Sequence, residues 1–332
     1  VTEPDPPSEP PSVNLIDRTV DRIDAIQRRI PPVAVVLGVL KKYGDDRGGQ
    51  LAMLLAYRGF FSLFPLLLAF VNVVGLLLAG DPELREDLID STLASVPAVG
   101  EEIKSTAGAA GGSELVVALS VLVSLWAGLG LLEMLQEALN TLWSVPVFRR
   151  PPWILRKLRS LPAAVLVGAC LVLSGAATWV FDDPGTSTVE RAAGFVLPFL
   201  AGSLCYLGLH WLLCARKVPI LAQMPGAAFV GTAWLVLQLL GTWYIDRFVL
   251  QSSQTYGIFV VVFGLLSWSY LLGLLYIYGN ELAVVLMEHR WPRSLTGRNL
   301  TDADQAALTD LLGREVRVEG VGLDVEVPRL PR

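Results

Sequence analysis

Long apolar runs separated by charged segments set the pattern of this chain. A helix needs roughly 20 consecutive apolar residues to cross the hydrocarbon core of a bilayer. Runs of that order lie at 51–79, 115–140, 161–181, 193–215, 226–250 and 257–287. They predict an all-α fold, a polytopic six-helix transmembrane bundle over 51–290. Val33 to Leu40 is apolar but too short to span. Within 13–50, Ile16, Val20, Ile23 and Ile30 recur at helical spacing among Asp17, Arg18, Arg22, Arg28 and Arg29. That periodicity predicts an N-terminal amphipathic helix lying in the membrane interface.

The remaining segments read as connectors and tails. Residues 1–12 are acidic and Pro-rich, the opposite of a signal peptide's basic start, and are expected to be a disordered cytoplasmic tail. In the long loop 80–113, Leu84, Leu88, Ile89 and Leu93 fit one face of a short helix, and Gly108 to Ser113 reads as a flexible connector. The tail 291–332 is polar. From Thr296 onward it reads as disordered, or as a small hairpin through its alternating valines.

Charge then orients the bundle, because cytoplasmic loops are enriched in Lys and Arg. Arg28, Arg29, Lys41, Lys42 and Arg47 precede the first run, and Arg149, Arg150, Arg156, Lys157 and Arg159 follow the second. Arg216 and Lys217 follow the fourth, and Arg290, Arg293 and Arg298 the sixth. The alternate loops hold only Arg85 and Lys104, then Arg191, then Arg247 at a helix end. The expectation is a multi-pass protein of the inner membrane with both termini cytoplasmic. Composition agrees: of 332 residues, 53% are hydrophobic and 17% charged, where soluble domains carry about 25% charged. A net charge of −5 weighs against nucleic acid as a partner. Cys170, Cys205 and Cys214 lie in apolar runs, where thiols serve as small packing groups.

Polar residues inside spanning helices are expensive and mark functional candidates. Arg58 lies in the first run, where it either snorkels to the interface or faces the bundle, and Pro65 follows as a candidate kink. Glu133, Gln136, Glu137 and Asn140 share one helix face; they form either a bundle-facing stripe or a solvated end beyond Leu132. Asn280 and Glu281 interrupt the last run near its cytoplasmic end, with Trp268 and Tyr270 nearer its middle. Glu281 is expected at a depth similar to Arg58 and Glu137, so these groups are candidates to converge. They would then form a site, or a latch between the first and last helices. Arg58, Glu133, Glu137, Asn140, Trp268, Tyr270, Asn280 and Glu281 are thus the candidate substrate-binding residues. His210 and His289 stand apart, without a second metal ligand at suitable spacing, and no HExxH, GxSxG or phosphate-cradling loop occurs. Neither enzymatic activity nor a cofactor or metal is expected.

Several residues in order carry a resemblance: Ala56, Tyr57, Ser62, Leu63 and Pro65; Asn140 and Trp143; Pro225, Gly226 and Ala227; Tyr256, Gly257 and Trp268; and Gly279, Glu281 and Leu282. Over roughly Lys41 to Arg290 the chain resembles the YihY / virulence factor BrkB family of bacterial inner-membrane proteins. It differs at Arg58, where the family more often has an aromatic residue, and at Asn280, where alanine is usual. The resemblance implies six helices, both ends inside, and an envelope role. That role is expected to be moving or binding a lipid or polyisoprenoid-linked substrate, with membrane lipids and a lipid-like substrate as partners. A non-catalytic scaffold is the alternative. The family's older label, ribonuclease BN, finds no metal cluster or acid/base pair here to support it, and a homo-oligomer is not indicated.

Overall fold

The computed structural model describes residues 24, 26, 27, 29–77, 118, 122, 126, 128–181, 188–244, 258–295 and 300–321. These residues form eight α-helices and, among them, no strand: α1 (Pro31–Asp45), α2 (Gly48–Leu77), α3 (Gly130–Leu142), α4 (Trp153–Phe181), α5 (Thr188–Leu213), α6 (Ile220–Tyr244), α7 (Ile258–Met287) and α8 (Asp302–Arg314). A short 3₁₀ turn, Val147–Arg149, leads into α4. Among the described residues, three helical stretches are long and apolar enough to cross a membrane: Ala193–Leu213, Ile220–Gln238 and Val262–Met287. The tail 1–12, the 13–23 part of the amphipathic segment, the 80–113 loop and residues 322–332 lie outside the described residues.

Local chemistry places the helix ends. Pro31 and Pro32 open α1, where a missing N–H costs nothing because the first turn has no carbonyl to meet it. Ser144, in the left-handed region at φ 50°, ends α3 and turns the chain away. Pro151 and Pro152 precede α4, which begins eight residues before the apolar run at 161. The charged residues Arg156, Lys157 and Arg159 stay helical there, and two of them find carboxylates on α3. The tail also departs from expectation, since Asp302–Arg314 is helical. Thr301 caps it with the hydroxyl accepting from the Asp304 N–H, while the Asp304 carboxylate accepts from the Thr301 N–H.

Contacts run round the set in order: α2 on α3, α3 on α4, α4 on α5, α5 on α6, α6 on α7, and α7 back on α2. Because lipid tails are as apolar as leucine, packing between such helices relies on close backbone approach at small residues. At the α6–α7 crossing a Cβ on Gly226 would overlap the Gly279 carbonyl oxygen and the Tyr206 hydroxyl. On the other side of α6, a Cβ on Gly202 of α5 would sit 2.9 Å from the Trp234 Cβ. Ser174 of α4 fastens the same region by accepting from Trp234 Nε1 (2.8 Å) and Gln238 Nε2 (2.7 Å) of α6.

The core concentrates where α3, α5 and α7 meet. Trp143, Leu139, Leu142, Leu213 and Ile277 are fully buried there, with Val284 beside them. Against this end of α7 lies α1, whose buried face is Ala34, Gly38 and Lys42, four residues apart and hence aligned. The approach is tight, since a Cβ on Gly38 would stand 3.0 Å from the Arg290 carbonyl oxygen.

Candidate functional site

Two polar assemblies occupy this end of the molecule, one closed and one open. The closed one centres on Glu281, which is wholly buried in α7. Its partner is Lys42 of α1, with Nζ 2.7 Å from Oε2, rather than Arg58. Lys42 also reaches Asp46 at 2.5 Å and donates to the Leu142 carbonyl oxygen at 2.9 Å. Burial alone would lower the Lys42 pKa, but the carboxylates of Glu281 and Asp46 more than offset this and raise it above the ordinary lysine value. Asp46 in turn pairs with Arg314 of α8 at 2.7 Å. An alternating series Glu281, Lys42, Asp46, Arg314 therefore runs from inside the bundle to the tail helix.

Asp304 anchors the other side of α8. Its carboxylate accepts from Arg293 Nε (2.7 Å), Lys41 Nζ (3.0 Å) and the Ser294 N–H (2.8 Å). Burial would raise its pKa, yet those donors with the Thr301 N–H hold it well below the usual carboxylate range. Arg293 further pairs with Asp45 at 2.8 Å, and Arg290 with Asp310. Lys42, Asp45, Asp46, Arg290, Arg293 and Asp310 line a cavity of about 20 Å³, room for about one water.

Asn280, next to Glu281, is buried and bridges three helices. Its Oδ1 accepts from Trp143 Nε1 at 2.9 Å and from the Tyr206 hydroxyl at 3.4 Å, while Nδ2 donates to the Tyr276 carbonyl oxygen at 2.9 Å. Asn140, at the end of α3, accepts the Ala215 N–H on its Oδ1 at 2.9 Å and so ties the α5–α6 turn to α3. Tyr270 is half-buried against the core near Tyr43, which stacks on Tyr278 with ring centroids 4.6 Å apart. Trp268 is half-buried, and Pro65 lies within the unbroken helix α2.

The open assembly is the acidic stripe of α3. Glu133 pairs with Lys157 at 2.9 Å, and Glu137 pairs with Arg150 and, at 3.5 Å, with Arg156. Gln136, between them, is buried and donates to the Arg156 carbonyl oxygen (2.8 Å) and to Ser160 Oγ (2.9 Å). The glutamates remain 26% and 39% exposed, so this surface is reached from outside. Lys157 lies over the Trp126 ring, 4.4 Å from its centroid, and Trp126 meets Trp153 edge to face.

Arg58 belongs to neither ion-paired group. It is exposed on α2, with Nη1 beside Gly130 at the start of α3, and its neighbour Gly59 faces Leu131 and Ser269. Ser269 is twelve residues from Glu281 along α7, which is about 18 Å of helix. The expected common depth of Arg58 and Glu281 is thus replaced by a separation of several turns. The cations that do meet the glutamates, Lys42, Arg150, Arg156 and Lys157, sit in segments whose basic residues sequence patterning ties to orientation alone. For Lys42 a signal was present, since it continues the Ala34, Gly38 small-residue face at the same four-residue spacing.

The chain matches the family described as Virulence factor BrkB over residues 39–304. It is similar to Inner membrane protein YhjD of Escherichia coli (strain K12), 23% identical over 270 residues, covering 74% of this chain and 79% of that protein. A UPF0761 membrane protein of Aliivibrio fischeri (strain ES114) is 27% identical over 288 residues, covering 81% and 88% of the two chains. A Bacillus subtilis (strain 168) protein named as ribonuclease-like, YfkH, is 23% identical over 265 residues, covering 76% and 94%. No solved structure matches.

Proposed function

This chain is a membrane protein of the virulence factor BrkB family, and from that premise we propose that it binds and moves a lipid or polyisoprenoid-linked substrate in the bacterial inner membrane. In this reading α2 to α7, with the helical residues preceding α3, form a six-helix transmembrane bundle whose two ends are cytoplasmic. The protein carries out no bond chemistry, so the ribonuclease-like name of one relative is not extended to it.

One observation supports the reading: the polar surface climbs one flank of the bundle and not the other. On the α5–α6 side, Trp211 is 80% exposed and Leu221 85%, and both lie on the Met287 side of the Asn280 level. Apolar surface on that flank therefore continues to the end of the helices. On the α2–α3–α4 side, partly exposed charges rise from Glu137 through Glu133 and Lys157 to Arg58, whose level on α7 is about 18 Å from Glu281. A stripe of this kind lets a headgroup travel within a protein surface while its tails stay in hydrocarbon, which lowers the cost of carrying a polar group through the bilayer.

The test is translocation of a fluorescent phospholipid and a fluorescent polyprenyl phosphate in proteoliposomes. The doubly substituted Glu133→Gln, Glu137→Gln protein should move the substrate about tenfold more slowly, equivalent to roughly 1.4 kcal/mol on the barrier. Equal rates in both proteins would overturn the role given to the stripe. A second reading, a structural scaffold, draws on the closed assembly, where Glu281 pairs with Lys42 and Asn280 accepts from Trp143 and Tyr206. Wild-type vesicles no faster than protein-free ones would favour it.

A further inference from the structure

We infer that the upper end of the α3 stripe is a docking site for the anionic, phosphate-type headgroup of a membrane lipid, with Arg58 as its principal anion-binding residue. This deepens the proposed function and rests on it for the position of the stripe within the bilayer.

The first ground is charge balance. Trp126, Gly130, Glu133 and Glu137 follow one another at helical spacing and share a face. Four cations reach that face: Arg58 beside Gly130, Lys157 on Glu133, and Arg150 and Arg156 on Glu137. Among the described residues two carboxylates meet them, so the stripe read from sequence as acidic has two more cations than carboxylates there. Arg156 has in addition a buried Nε without an acceptor among the described residues. Gln136 Oε1 and, its ion pair to Lys157 aside, Glu133 Oε1 also lack hydrogen-bond donors among the described residues, so the need for an anion rests on the charge count.

The second ground is the setting of Arg58. Among the described residues it has no ion pair or hydrogen bond, and its level on α2 falls at Ser269, inside the apolar stretch Val262–Met287. A guanidinium held in that setting is expensive unless an anion joins it. Its planar fork matches two phosphate oxygens, and Gly130 leaves the approach open, since even an added Cβ there would only touch Nη1 at 3.5 Å. The third ground is the apolar border. Tyr57 and Phe61 flank Arg58 on α2, and Trp126 and Trp153 flank Lys157, all four more than half exposed. Such rings beside a guanidinium give acyl chains an apolar surface while the charge meets the headgroup. These features select a lipid over free phosphate, which would have no use for the rings.

The experiment is native mass spectrometry of the full chain released from nanodiscs holding equal phosphatidylglycerol and phosphatidylcholine. Wild type should retain phosphatidylglycerol about tenfold over phosphatidylcholine, and Arg58→Gln should lose most of that preference. Arg58→Lys should keep part of it, having the charge without the fork, and Arg317→Gln, in the tail, should keep all of it. Equal retention of the two lipids by the wild type overturns the inference without any variant, as does an unchanged preference in a folded Arg58→Gln protein. Competition by inorganic phosphate with no lipid preference would also overturn it, assigning the site to free anions. Retention is read without transport, so selective binding with no translocation sinks only the proposed function. Translocation with no headgroup preference sinks only this inference.

Discussion

Lys42 holds a position where its removal does more harm than its presence does good. Its ammonium lies between Glu281 and Asp46 in a site closed to solvent. A buried pair often contributes little net stability, but deleting one partner strands the other's charge, at a cost of about 3–5 kcal/mol. Lys42→Met is therefore expected to lower the thermal stability of the purified protein sharply, and adding Glu281→Gln should restore part of the loss. Denaturation in detergent, followed for both variants, checks this; equal melting points in the single and double variants would contradict it. Trp143→Phe is expected to cost about 1–2 kcal/mol, since it frees the Asn280 oxygen of its indole donor. Sequence alone marked Glu281, Asn280 and Asn140 as buried polar residues of consequence. It matched Glu281 with the wrong cation for a definite reason. Spacing along a chain gives depth within one helix, whereas the offset between two helices depends on packing, here Ala52 and Leu55 against Gly273.

At the scale of elements, α8 is held by charge, with only Asp304 of its own residues fully buried. The Asp304 carboxylate has a folded pKa depressed below its ordinary 3.8. Its contribution is thus complete above about pH 4 and is lost as pH falls through the lower folded value. Asp310 behaves oppositely: partial burial pushes its pKa up despite its pair with Arg290, so it takes a proton before Asp304 on acidification. Hydrogen exchange over 302–314 should accordingly stay slow from pH 7 to about pH 4, and become fast at neutral pH in Asp304→Ala. Early loss of protection near pH 6 would speak against ion-pair docking. This helix escaped sequence reading because too few of its residues are apolar to mark a buried face, and because the cap, Thr301 with Asp304, uses an aspartate where glutamate is the familiar partner. The α6–α7 crossing gives a contrasting prediction. Gly226→Val places carbon where the Gly279 carbonyl and Tyr206 hydroxyl stand, and should destabilise by about 1–3 kcal/mol in the same melting assay.

For the whole molecule, the expectation that follows from charge distribution is that α8 faces the cytoplasm. With Cys170, Cys205 and Cys214 replaced, a cysteine at exposed Gln305 should resist a membrane-impermeant maleimide in intact cells and react after permeabilisation. Labelling of intact cells would reverse the topology. The apolar runs overlap the long helices, because hydrophobic length is a property of the sequence itself, but α4 begins eight residues and α6 six residues before its run. Their order around the circuit was not legible, since it is decided by where glycines such as Gly202, Gly226 and Gly279 let backbones meet. Nor was the reach of the polar flank, because the basic turn of α4 reads as a loop until its lysine and arginine are seen on α3.

The pairing of Lys42 with Glu281 also sets an order of events during synthesis. The ribosome delivers the lysine before any of α2 to α7 exists, and Glu281 only when the last of them is made. Until then the ammonium has Asp46, four residues on, as its carboxylate partner, and α1 has no α7 to pack against. Completion of this end is deferred to α7, and a nascent chain interrupted before it is left with a polar, unfinished surface for proteases to find.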